Sequence, residues 1–264
     1  MIEKIAIIGA GNMGAAIARG LVKSGRIQPQ NLWVSDPAVS QLDALRADCP
    51  DINTTNDNIL AASMAQLVLI AVKPWLVEDV LTALDQKLRP DQVLGSIAAG
   101  INIKTLRELI RYGAAAEAPL YRIIPNTAIA IGESMTFIAP DLTTPELDEE
   151  MRDIFSQLGQ AMIVTEPMLE AGMAVASCGI AYAMRYVRAA MEGAVQLGMT
   201  PAAALTTVLQ TVKGAAALLE ATGEHPEVAI DRVTTAGGVT IRGLNAMEAA
   251  GFSPAVVDGL LASH

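Results

Sequence analysis

The chain has 264 residues, of which 52% are apolar and only 3% aromatic, and its formal net charge is −10. Two domains of ordinary size fit that length. Nucleic acid and anionic membranes, which are bound by clustered Lys and Arg, are poor partners for so acidic a chain. Cys49 and Cys178 are the only cysteines and His225 and His264 the only histidines, so neither a disulfide framework nor a metal centre is expected. The N-terminal stretch lacks a secretory pattern, and the uninterrupted apolar runs are short for a bilayer. These features point to a cytoplasmic protein with no membrane partner.

An apolar run at residues 5–8 leads into Gly9-Ala10-Gly11-Asn12-Met13-Gly14, and helical spacing follows through Ile17, Leu21 and Val22. Strand, glycine turn and helix together form the dinucleotide fingerprint. Gly9 allows the tight turn, Gly11 lets a pyrophosphate approach the backbone, and Gly14 lets the helix pack close to its strand. The free amides and positive dipole end of the helix then face the phosphates.

Residues 31–35 read as a second strand, closed by Asp36-Pro37. At this position an acidic side chain accepts hydrogen bonds from the ribose 2′-hydroxyl and favours NAD over NADP. Asp-Pro is also an ordinary turn opener, so both readings of Asp36 stand. The continuous apolar run 67–72 has the character of a strand buried on both faces, and it ends in Lys73-Pro74. Lys73 is either a ligand-facing residue at a strand end or a solvated loop lysine. A helical segment over 75–88 precedes another strand at 92–97, after which Ala98-Ala99-Gly100 is small enough for a cofactor ring to lie against the backbone. Further elements are expected at 103–112 (helix), 121–124 (strand), 135–139 (strand), 144–157 (helix opened by Thr144-Pro145) and 161–164 (strand).

Strand signals stop near Thr165. Long helices are expected over 167–197 and from Thr200-Pro201 to Thr222-Gly223, both apolar on more than one side. Helices of that kind must be buried, either against a second subunit, which a small helical domain favours, or in a tightly packed monomeric core. Short helices follow at 226–233, 240–250 and from Ser253-Pro254. The loop Thr234-Thr235-Ala236-Gly237-Gly238-Val239-Thr240 forms either a nest of backbone amides suited to a carboxylate or a plain connection.

Taken together these residues resemble the pyrroline-5-carboxylate reductase family, over essentially the whole chain. The resemblance rests on Ile7 to Gly14, Ala71-Val72-Lys73-Pro74, Ser96-Ile97-Ala98-Ala99-Gly100 and Pro125-Asn126-Thr127. Its more specific carriers are Thr222-Gly223-Glu224-His225-Pro226, Asp231, Gly237-Gly238-Val239-Thr240-Ile241, Glu248 and Gly251-Phe252. It implies an α/β fold: an N-terminal Rossmann-type doubly wound sheet (1–164) followed by an all-α dimerisation and substrate-binding domain (165–264). It further implies an intertwined homodimer, in some members gathered into larger rings such as a pentamer of dimers. The implied reaction is hydride transfer from NADPH or NADH to the C=N carbon of 1-pyrroline-5-carboxylate, giving L-proline.

By the same resemblance Gly9, Gly11, Asn12, Met13, Gly14, Ser35, Asp36, Asn58, Ala71, Val72, Lys73, Pro74, Ala98, Ala99 and Gly100 line the cofactor. Thr235, Gly237, Gly238, Val239 and Thr240 hold the small imine carboxylate, and Thr240 lies near the imine nitrogen as proton donor or relay. The sequence departs from the family pattern in two places. Residues 176–182 read Ala-Ser-Cys-Gly-Ile-Ala-Tyr where Ser-Gly-Ser-Gly-Pro-Ala-Tyr is usual, and Ala236 replaces a proline. Both changes bear on which cyclic imine is taken. Alternatives are a reductase of a related imine, a non-catalytic dinucleotide-binding protein, and a β-hydroxyacid dehydrogenase, whose helix lysine has no counterpart here, Lys213 lying elsewhere.

Overall fold

The computed structural model describes residues 1–264, and the chain divides into two compact units, Met1–Ser177 and Cys178–His264.

In the first unit β1 (Ile5–Ile8) leads through α1 (Asn12–Ser24) to β2 (Leu32–Ser35), α2 (Val39–Asp48), β3 (Asn53–Thr55) and α3 (Asn58–Ser63). Then come β4 (Leu67–Ile70), α4 (Val77–Asp85), β5 (Val93–Ser96), α5 (Ile103–Leu109) and β6 (Leu120–Ile124). The unit continues with β7 (Ser134–Asp141), α6 (Pro145–Ser156), β8 (Gly159–Ile163) and α7 (Glu166–Gly172). One sheet of order β3-β2-β1-β4-β5-β6-β7-β8 holds all eight strands. Pairing is parallel throughout except between β6 and β7. The strand order reverses between β1 and β4, which is where open α/β sheets bind ligands.

The continuous apolar runs have a direct cause. Side chains alternate across a strand, and in β1 Ile5 and Ile7 join one core cluster while Ala6 and Ile8 join the cluster on the other face. Leu67 and Leu69 of β4 divide from Val68 and Ile70 in the same way. Ile17 and Leu21 of α1 cover the first face, and Leu81 and Leu84 of α4 cover the second.

Differences from the sequence reading are local. The segment 39–63, without assigned elements in that reading, contains α2, β3 and α3. The helix expected over 75–88 begins as a 3-10 turn, Pro74–Leu76, before α4. A 3-10 turn also fills Thr127–Ile131. The long helix expected over 167–197 is interrupted: α7 passes into a π-helical segment, Met173–Cys178, before α8 (Gly179–Gln196).

The second unit consists of α8, α9 (Pro201–Thr222), α10 (Pro226–Arg232), α11 (Val239–Ala249) and α12 (Phe252–Leu261). The α8 and α9 helices pack on each other, as do α11 and α12. Thr200 caps α9 with its hydroxyl, and Gly223 ends it in the left-handed conformation. Ala204 is the one fully buried apolar residue of this unit, while Met184, Leu209, Leu218 and Val257 stand about half exposed or more. By length and composition alone, Glu166–Gln196 and Pro201–Thr222 suffice to cross a membrane. The count of uninterrupted apolar runs missed this, because a helix tolerates scattered polar residues within an apolar span.

Candidate active site

The glycine loop is built by sterics. Gly9 has φ +112, and its amide donates to the Ser35 carbonyl at 2.7 Å, joining the ends of β1 and β2. A Cβ at Gly9 would stand 2.7 Å from the Ala71 carbonyl oxygen, and one at Gly14 only 2.0 Å from the Gly9 carbonyl oxygen. Around Gly11 a Cβ would meet nothing within 4 Å, so that side of the loop is open for a ligand. Gly11 caps α1 without a side-chain hydrogen bond, and the first turn carries no acidic residue. The Asn12, Met13 and Gly14 amides therefore have no intrahelical partner and form the positive end of the helix, which fits a dinucleotide pyrophosphate.

Asp36, half-buried just beyond β2, accepts the Ala10 amide on Oδ2 and the Ala38 amide on Oδ1, each at 2.8 Å. Ser35 is fully buried and donates its hydroxyl to Asn58 Oδ1 at 2.8 Å. Asn58 opens α3, where the Asp57 carboxylate caps the Ile59 and Leu60 amides at 2.8 and 3.1 Å. Ser35 is thus closed off from the surface, with its hydroxyl committed to Asn58.

At the end of β4 the Ala71 amide donates to the Ile8 carbonyl at 2.8 Å. Ala71, Val72 and Pro74 are half-buried, and Lys73 is exposed. After β5, Ala98 is buried, whereas Ala99 and Gly100 are exposed, Gly100 with φ +77. The sheet therefore gathers the fifteen cofactor-side candidates at the carboxyl ends of β1, β2, β4 and β5 and the start of α3, around the reversal of strand order.

Two residues make contacts that the sequence reading did not assign: Arg122, and Asn126, named there only within the Pro125-Asn126-Thr127 turn. Asn126, held by Ser134 Oγ on its amide and accepting the Ala128 amide, donates its Nδ2 to the Ala176 carbonyl in the π-helical segment at 3.2 Å. Arg122, in the middle of β6, is 1% exposed and donates from Nη1 to Glu170 at 2.6 Å and Glu166 at 3.2 Å. A charged residue inside an apolar strand was the available signal.

In the second unit the substrate-side candidates fall together at the start of α11. The Gly238 amide donates to the Thr235 carbonyl at 2.9 Å, and Gly237 has φ +67, the conformation a type II turn needs at its third position. A Cβ at Gly238 would lie 2.4 Å from Thr235 Oγ1. Gly238 caps α11 without a side-chain bond, and the first turn holds no acidic residue. The amides at the head of the helix are consequently open to an anion, with Val239 and Thr240 exposed in its first turn.

A family model described as pyrroline-5-carboxylate reductase dimerisation matches residues 166–264, and one described as NADP oxidoreductase, coenzyme F420-dependent, matches residues 4–100. The pyrroline-5-carboxylate reductase of Escherichia coli (strain K12) is 34% identical over 98% of this chain and 95% of its own length. The chain belongs to the pyrroline-5-carboxylate reductase family. Pyrroline-5-carboxylate reductase 1 of Dictyostelium discoideum is 33% identical over 98% of this chain, which spans 48% of that protein's length. Among solved structures, a pyrroline-5-carboxylate reductase from Coxiella burnetii superposes with a TM-score of 0.91 at 26% identity, covering 99% of this chain and 96% of that one. The reductase dimerisation match covers α7 to α12 and accounts for the exposed apolar faces of α8 and α9: the protein is an oligomer through this region. The dinucleotide-binding reading of the first unit agrees with the oxidoreductase match, and the cofactor is NAD(P)H.

Proposed function

We propose that this chain reduces 1-pyrroline-5-carboxylate to L-proline with NADPH or NADH, the last step of proline biosynthesis. The near full-length similarity to the Escherichia coli reductase carries this reading. The open first turn of α1 holds the pyrophosphate, Asp36 and Asn58 the adenosine side, and the segments 71–74 and 98–100 the nicotinamide side. Bound there, the reduced nicotinamide supplies a hydride. The amides of 237–240 hold the imine's carboxylate, and with the ring so placed Thr240 Oγ orients the nitrogen. A threonine hydroxyl is a weak acid, so Thr240 relays a proton from water to the nitrogen and is not its ultimate source. Positioning and exclusion of water account for the remaining rate enhancement, since a protonated imine carbon is already electrophilic.

The working assembly in this proposal is an intertwined dimer, gathered into a pentamer of dimers, in the cytoplasm and away from membranes. The apolar faces of α8 and α9 are covered by the partner subunit. Turnover measured with both nicotinamides and three imines (five-membered 5-carboxylate, five-membered 2-carboxylate, six-membered) tests the assignment. Turnover restricted to the first imine supports it; a preference for another ring would redirect the assignment toward a related imine reductase, to which Ile180 and Ala236 would be matched. Thr240→Ala is expected to slow turnover with cofactor affinity nearly intact.

A further inference from the structure

We infer that this chain selects NADH over NADPH and that Asp36 is the discriminating residue. The inference rests on the dinucleotide site described above and separates this chain from the NADP label of the family model that matches its first hundred residues.

Three observations carry it. The Asp36 carboxylate is fixed, its two oxygens each accepting a backbone amide, from Ala10 inside the glycine loop and from Ala38 beyond it, both at 2.8 Å. Its own amide donates to the Thr55 carbonyl at 3.2 Å. The negative charge therefore cannot swing away from the adenosine ribose, which in this topology lies between the glycine loop and the end of the second strand. Both oxygens keep a lone pair for a ribose hydroxyl, the group NADH presents.

The surroundings supply no counter-charge. Residues 35–45 contain no Lys or Arg. The first cation after β2, Arg46, is in the last turn of α2 and is committed to the Asp43 carboxylate and to Thr54 Oγ1. A second carboxylate, Asp57, follows the end of the neighbouring strand β3, its amide donating to Thr55 Oγ1 at 3.1 Å and its side chain capping α3.

The remaining anion-binding device, the N-terminus of α2, is already compromised. The Ala38 amide, which precedes it, is spent on Asp36 itself, so only the amides of its first turn, uncapped by any side chain, remain. A 2′-phosphate would meet a fixed carboxylate with no cation to offset it, only backbone amides and neutral hydroxyls.

The test is calorimetric titration of the intact protein with ADP-ribose and 2′-phospho-ADP-ribose, which probe the ribose pocket without turnover, followed by NADH and NADPH. ADP-ribose is expected to bind at least about tenfold more tightly than its 2′-phosphate, reflecting the repulsion between a carboxylate and a phosphate a few ångströms apart. Equal or tighter binding of the phosphorylated fragment would overturn the inference. Asp36→Asn is expected to strengthen the phosphorylated fragment relative to the plain one. Should that variant loosen the glycine loop and weaken both ligands together, Ala38→Arg decides, because it leaves Asp36 in place. A gain of about tenfold for the phosphorylated fragment alone supports the account, and no gain refutes it. Failure of both fragments to bind would instead reject the dinucleotide site itself.

Discussion

The Asn126 side-chain amide donates to the Ala176 carbonyl, joining the turn after β6 to the π-helical segment 50 residues later in the chain. A π-helical segment shifts hydrogen bonds from i→i+4 to i→i+5 and leaves carbonyls in need of other donors. Asn126 is 6% exposed, so water does not easily replace it. Asn126→Ala is expected to cost about 1–3 kcal/mol of stability. Asn126→Asp should cost more, since it sets a carboxylate against a carbonyl. Urea denaturation followed through Trp33 and Trp75, both in the first unit, checks this; unchanged midpoints would contradict a stabilising role for the bond.

Gly11 and Gly14 are expected to fail differently. Gly14→Ala pushes a methyl against the Gly9 carbonyl, so it should lower thermal stability and cofactor affinity together. Gly11→Ala meets no protein atom, so it should melt like the parent and bind the dinucleotide at least about tenfold more weakly, the methyl standing where the pyrophosphate approaches. Paired melting and binding measurements separate the two.

How much of this could be read from residues alone depended on burial. β1 and β4 were legible because both faces of each are covered, giving the unbroken runs Ile5–Ile8 and Leu67–Ile70. α6 was legible from Thr144, whose hydroxyl does accept the Leu147 amide, and Pro145. α2, β3 and α3 were not. α2 buries only Leu42 and Leu45, and β3 is an edge strand of Asn53, Thr54 and Thr55 without an apolar residue. The π-helical segment was illegible because its composition matches an ordinary helix. At the site, the job of Gly9 was readable from its motif and the Asp36–Ala38 bond from the Asp-Pro turn, whereas the Asp36–Ala10 bond and the Ser35–Asn58 contact depend on segments brought together from distant sequence.

Arg122 and its two glutamates should respond asymmetrically. Glu166 and Glu170 are 31% and 42% exposed at their side chains, whereas Arg122 is at 1% and its Nε has no partner. Arg122→Met frees Glu170 to turn to water and leaves Glu166 on the Ile103 amide, so it should be mild. The double variant Glu166→Gln, Glu170→Gln strands a buried guanidinium and should cost about 3–5 kcal/mol. Denaturant midpoints in the reverse order would contradict this ranking.

Alkaline stability should depend on Tyr121. Burial, and then its hydrogen bond to Asp148 at 2.8 Å, push the phenol well above its ordinary value. The folded state thus keeps a proton that the unfolded chain releases near pH about 10. The stabilisation is complete below that pH and falls as pH rises beyond it. Tyr121→Phe should flatten the decline in urea midpoint above pH about 10; an identical decline would assign it to other groups.

The central claim is hydride transfer to the imine carbon. Its most direct measurement incubates the protein with 1-pyrroline-5-carboxylate and nicotinamide cofactor dideuterated at C4, then locates deuterium in the product by mass spectrometry and NMR. The account predicts L-proline carrying one deuterium, at C5. Proline without deuterium, deuterium at another carbon, or no proline with either NADH or NADPH would contradict it.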